Sequence, residues 1–71
     1  MTRKDYKLIA ESFAFAIVLC ERMGTSPSAI WVAIGSLSAD LVKENPRFDR
    51  ERFTEYIEKE ILVQKRKEVA A

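Results

Sequence analysis

The chain has 71 residues, twelve basic and eleven acidic side chains, one cysteine and no histidine. An internal disulfide and a Cys/His metal centre are therefore excluded, and a net charge of +1 supplies no global field for nucleic acid or a membrane surface. One domain, 1–71, is expected, with a core that contributes only about 3–5 kcal/mol, so self-association or partner binding is the remaining source of stability.

The lone Cys20 fits a reducing compartment, and the polar start from Met1 to Tyr6 does not read as a secretion signal. The longest apolar run, Phe13 to Cys20, falls far short of the ~20 residues a membrane span needs. A cytosolic protein with no membrane contact is expected.

Two glycines and two prolines cut the chain into three helical segments, an all-α reading. The first is expected over about 3–23, with Thr2 as N-cap, Asp5 completing a capping box and Gly24 as the left-handed C-terminal residue. Tyr6, Ile9, Phe13, Ala16, Ile17 and Cys20 share one face and form its core stripe. Leu8, Phe15 and Leu19, with Val18 at the edge, form a second apolar stripe nearly opposite. A surface helix normally carries polar residues there, so this face is covered either within the fold or by another chain.

The second helix is expected over about 27–44, with Ser26 capping and Pro27 in the first turn. Ile30, Ile34, Leu37 and Leu41 make one stripe. Beside it runs Trp31, Gly35, Ser38 and Val42, a large ring next to small residues. That row is either the edge of the core or a docking groove anchored by Trp31. Pro46 ends the helix at Asn45.

Asp49 is the expected N-cap of the third helix, over about 50–67. Phe48 and Phe53 have the spacing of a hydrophobic staple, which should clamp this helix against the second. Phe53, Tyr56, Ile57 and Ile61 face inward and Leu62 outward. Glu60 falls inside the stripe, and Glu55 and Lys59 have the spacing of a helical ion pair. The basic end from about Lys65 is expected to fray.

No nucleophile–base pair is visible. The serines have no histidine to activate them, and Cys20 lies on the core stripe as a structural thiol. No enzymatic activity, cofactor or metal is expected.

Leu19 to Ile30 has the pattern of a helix-turn-helix centre with Gly24 at the turn. Its second helix would present Ser28, Trp31, Val32 and Gly35 to the major groove, and no cation follows until Lys43. Phosphate contacts dominate nucleic-acid affinity, so a helical hairpin accounts for these residues better. The remaining basic groups, Arg47, Arg50 and Arg52 against Lys65, Arg66 and Lys67, lie at opposite ends of the third helix, about 22–25 Å apart.

The segments Met1 to Ala10 and Asn45 to Phe53 resemble those of short proteins encoded by phages, prophages and plasmids. These open on a similar Lys-Asp-Tyr segment and close on a similar Asn-Pro-Arg-Phe-Asp-Arg segment. The resemblance covers about nineteen residues and leaves out the Phe13–Cys20 run. Members commonly stop soon after the last phenylalanine, whereas this chain continues from Thr54 to Ala71. The group carries no assigned activity. What the resemblance implies is a mobile-element origin, a bacterial host cytosol and an accessory role, such as inhibiting a CRISPR-type defence or adjusting host transcription.

The expectation is a non-enzymatic three-helix protein that binds a host protein and also itself, blocking its target sterically. Phe15, Leu19 and Trp31 are the expected apolar anchors, and Arg47, Arg50 and Arg52 the polar contacts. The alternative is a small DNA-binding regulator using Ser28, Lys65, Arg66 and Lys67. A virion or packaging accessory role comes third.

Overall fold

Local capping chemistry sets the helix ends. In the computed structural model, which describes the backbone from Thr2 to Ala70 and the side chains from Thr2 to Lys67, α1 spans Arg3–Arg22, α2 Ser28–Glu44 and α3 Arg50–Ala70. No strand occurs among the described residues. The all-α three-helix reading holds.

At the start of α1, the Asp5 amide donates to Thr2 Oγ1 at 3.3 Å and the Thr2 amide donates to Asp5 Oδ2 at 3.0 Å. This is the expected capping box, and it satisfies amides that have no partner inside the helix. At the other end Gly24 adopts φ 74°, the left-handed conformation that costs a side-chain-bearing residue about 1–2 kcal/mol. The Thr25 amide donates to Cys20 O at 2.9 Å and the Gly24 amide to Glu21 O at 3.1 Å, a complete Schellman closure.

The start of α2 is shifted by one residue from the expectation. The Ile30 and Trp31 amides both donate to Pro27 O, at 3.0 and 3.2 Å, so Pro27 is the cap residue rather than the first helical one. Ser26, expected as the cap, lies one residue outside it, and its Oγ accepts the amide of Ser28, the first helical residue, at 3.2 Å.

Asp49 caps α3 as expected, with Oδ1 accepting the Arg52 amide at 3.1 Å. The rings of Phe48 and Phe53 lie 5.5 Å apart, which realises the staple. The clamp closes on α1 as well as on the core that Ile34 of α2 joins. Phe48 packs on Tyr6, with ring centroids 5.1 Å apart. The last helix also runs past the expected stop at Lys67 and past the expected fraying point at Lys65. No Gly or Pro interrupts it, its cations suit the negative end of the helix dipole, and Lys65 Nζ lies 2.9 Å from Glu21 Oε2. Ala71 lies outside the described residues.

These contacts fix the topology. Tyr6 meets the start of α3, Glu11 meets its middle and Glu21 its later part, so α1 and α3 run parallel. After the short turn at 23–27, α2 packs on both, more lightly than they pack on each other. α1 packs chiefly on α3, and the three helices form a body of 39 × 22 × 16 Å.

The core joins Ala10, Ala14 and Ile17 of α1, Ile34 of α2, and Phe53 and Ile57 of α3. Each large aliphatic side chain there contributes roughly 1.5–3 kcal/mol by leaving water. The buried arc of α1 is wider than the expected stripe, because α2 and α3 cover two of its flanks. Ala10 and Ala14, outside that stripe, are fully buried, and Val18, expected at the edge of the exposed face, is only 4% exposed. Cys20 is half-buried rather than sealed in the core.

Candidate functional site

α2 and α3 leave the third flank of α1 uncovered. Leu8 is 63% exposed, Phe15 57%, Leu19 39% and Met23 68%. Along the helix Leu8, Ser12, Phe15 and Leu19 are spaced four, three and four residues apart, which places them on one stripe. The only polar member, Ser12, donates its hydroxyl to Leu8 O at 3.0 Å. Covering the stripe would therefore orphan no donor.

Two depressions lie along the α1–α3 seam beside this stripe. The first, at the start of both helices, encloses about 460 Å³. Arg3, Lys7, Arg47, Arg52 and Lys59 bring five cations to it, against the carboxylates of Asp49 and Glu55. Tyr6, Phe48, Phe53 and Tyr56 supply its aromatic floor. Among the described residues, none of the five cationic side chains forms an ion pair. Glu55 and Lys59 share the depression but do not pair, contrary to the i,i+4 expectation.

The second depression joins Phe15, Val18 and Leu19 to Glu60, Gln64 and Lys67. Between the two, the Tyr56 hydroxyl donates to Glu11 Oε1 at 3.4 Å, and Gln64 Nε2 donates to Glu11 O at 3.4 Å. Burial raises the Tyr56 pKa, and the negative charges of Glu60 and Glu11 raise it further. Glu60, ambiguous in sequence, thus lies where the inward stripe of α3 reaches solvent.

The expected site residues separate into groups. Phe15 and Leu19 belong to the open flank of α1. Arg47 and Arg52 enter the cationic depression, whereas Arg50 lies on the outer side of α3 with Glu51 and Glu58. Trp31 is half-buried and packs against the core. The shelf beside it stays open: a side chain added at Gly35 would meet nothing within 4 Å. Ser38, in the same row, is buried, with its hydroxyl donating to Ile34 O at 2.7 Å.

The residues of the DNA-binding alternative sit at the opposite pole from the cationic depression. Ser28 is exposed at the start of α2, with its Oγ 2.7 Å from Ser26 Oγ. Lys65 is engaged with Glu21, and Arg66 and Lys67 are exposed.

Sequence reasoning passed over Arg3, Lys7 and Lys59, because their proximity to Arg47 and Arg52 depends on the parallel alignment of α1 and α3. It also passed over Met23 as an extension of the Leu8, Phe15 and Leu19 face, although its place four residues after Leu19 was the available signal.

Among the described residues no helix is long and apolar enough to cross a membrane, and no cluster of acidic or thiol side chains could hold a metal ion. No family model, curated protein or solved structure matches the chain.

Proposed function

We propose that this protein acts by binding another polypeptide, with the open flank of α1 as its docking surface. The carrying observation is the stripe of Leu8, Phe15, Leu19 and Met23, four large apolar side chains in water on a chain of 71 residues. Such a contiguous patch costs solubility, and covering it returns about 25 cal/mol for each Å² of apolar area. Phe15 is its central anchor, because buried aromatic side chains dominate interface energetics.

A non-enzymatic role agrees with a chain that lacks histidine and holds a single, half-buried thiol. The resemblance to mobile-element proteins supports a partner in the bacterial host cytosol, with steric occlusion of a defence component as the mode of action. That part rests on the two resembling segments alone.

Phe15→Asp with Leu19→Asp tests the docking surface. Both positions are exposed, so helicity by circular dichroism is expected to persist. Binding to a host protein that co-purifies with the natural chain is expected to disappear. Retained binding by the double variant would remove α1 from the account.

Self-association is a second reading, favoured by the four-three-four spacing of Leu8, Ser12, Phe15 and Leu19. Two copies packed antiparallel across this stripe would meet near Phe15. Light scattering at tens of micromolar is expected to give twice the chain mass of 8.2 kDa, whereas a strict monomer would leave only the heterologous partner.

A further inference from the structure

The charge of this chain is segregated along the α1–α3 seam. The depression near Phe48 holds five cations and two carboxylates, a local charge of +3. The whole chain carries twelve cations and eleven carboxylates. Seven cations and nine carboxylates therefore remain elsewhere in the sequence, a net charge of −2. At the other end of the seam Phe15, Val18 and Leu19 stand beside Glu11, Arg22, Glu60 and Lys67, whose charges sum to zero.

We infer that the seam binds an acidic amphipathic helix of a partner protein. Carboxylates at one end of that helix lie over Arg3, Lys7, Arg52 and Lys59, and large apolar side chains at its other end lie over Phe15 and Leu19. This rests on the proposed protein-binding role of α1 and names the chemistry of the partner.

Three observations carry the inference. The five cations form no ion pair among the described residues, so an incoming carboxylate displaces no internal partner. The two depressions adjoin: Tyr56 lines the first, Glu11 lines the second, and the Tyr56–Glu11 hydrogen bond joins them. From Arg3 to Leu19 the seam follows α1 for about 24 Å at 1.5 Å per residue, a length one helix can cover. A helix laid there would cover Phe15 and Leu19 of the flank of α1 that α2 and α3 leave open.

The same observations disfavour a nucleic-acid strand. A phosphate track along the seam would meet Asp49 and Glu55, then Glu11 and Glu60, and beyond the first depression it would find a lining of zero net charge in which Arg22 and Lys67 are offset by Glu11 and Glu60. A polypeptide can match both halves.

The test uses the full chain and fluorescence anisotropy. One labelled helical peptide carries glutamates in its first turns and leucines on the same face of its last turns. A second has glutamines in place of the glutamates, and a labelled oligothymidylate is the third probe. The glutamate peptide is expected to bind roughly tenfold more tightly than the glutamine peptide, and to weaken as salt rises.

Lys7→Glu with Arg52→Glu is expected to abolish that preference. Arg50→Glu, outside the depression, is expected to leave it unchanged, and circular dichroism checks that all variants stay helical. Equal affinity for the two peptides, indifference to the double reversal, or tighter binding of oligothymidylate would each overturn the inference. If the peptides fail while Phe15→Asp still removes a captured partner, the acidic-helix inference falls and the docking role of α1 stands. If Phe15→Asp has no effect either, both fall.

Discussion

The rings of Tyr6 and Phe48 lie 5.1 Å apart and tie the start of α1 to the segment that leads into α3. Phe48 also contacts Phe53 at 5.5 Å, so one side chain joins two helices and floors the cationic depression. Phe48→Ala should therefore cost about 2 kcal/mol, less than a fully buried phenylalanine because Phe48 is half-exposed. Urea denaturation measures this directly. An effect within a few tenths of a kcal/mol of zero would show that the aromatic clamp does not hold α1 to α3.

The two glycines should respond with opposite signs. Gly24 occupies φ 74°, so Gly24→Ala should destabilise the protein by about 1 kcal/mol. Gly35 lies within α2 with open space around it, so Gly35→Ala should stabilise by roughly 0.5–1 kcal/mol. Thermal melts of the two variants check the pair. A destabilised Gly35→Ala would mean that the shelf beside Trp31 is occupied, as it would be in an oligomer.

Both ends of α1 and the start of α3 were legible in the sequence because their caps are local. Thr2 with Asp5, Gly24, and Asp49 with the Phe48–Phe53 staple follow from residue type and spacing alone. What lay beyond reach was tertiary. A periodicity reading of α1 centres its stripe on Phe13 and Ile17. It cannot show that two neighbours would also bury Ala10, Ala14 and Val18. The contact of Phe48 with Tyr6 depended on α1 being brought beside the start of α3. The cationic depression depends on the same alignment. Arg47 and Arg52 stood out by local density, whereas Arg3, Lys7 and Lys59 join them only once α1 and α3 run parallel.

Stability should depend on pH at both extremes. The hydrogen bond from the Thr2 amide, followed by that from its hydroxyl, holds the Asp5 carboxyl below its ordinary pKa. A depressed value in the folded state means a contribution present above the ordinary carboxylate range and lost as pH falls through the folded value. The start of α1 should therefore loosen in acid below about pH 4, and Asp5→Asn should flatten that response.

Tyr56 behaves in the opposite sense. Burial, then the charges of Glu60 and Glu11, raise its pKa, so its contribution is complete below about pH 10 and is lost as pH rises through the folded value. Tyr56→Phe should remove the alkaline step in a plot of melting temperature against pH. An unchanged step would assign it to another group.

The central claim is that the open flank of α1 is a protein-docking surface, and photo-crosslinking in host cells tests it most directly. Phe15 is replaced by the photoreactive benzoylphenylalanine, and in a separate variant Glu58, on the outer side of α3, is replaced in the same way. The account predicts a discrete crosslinked protein at position 15, either a host protein or a second copy of this chain, and none at position 58. No adduct at position 15, or the same adducts at both positions, would contradict it.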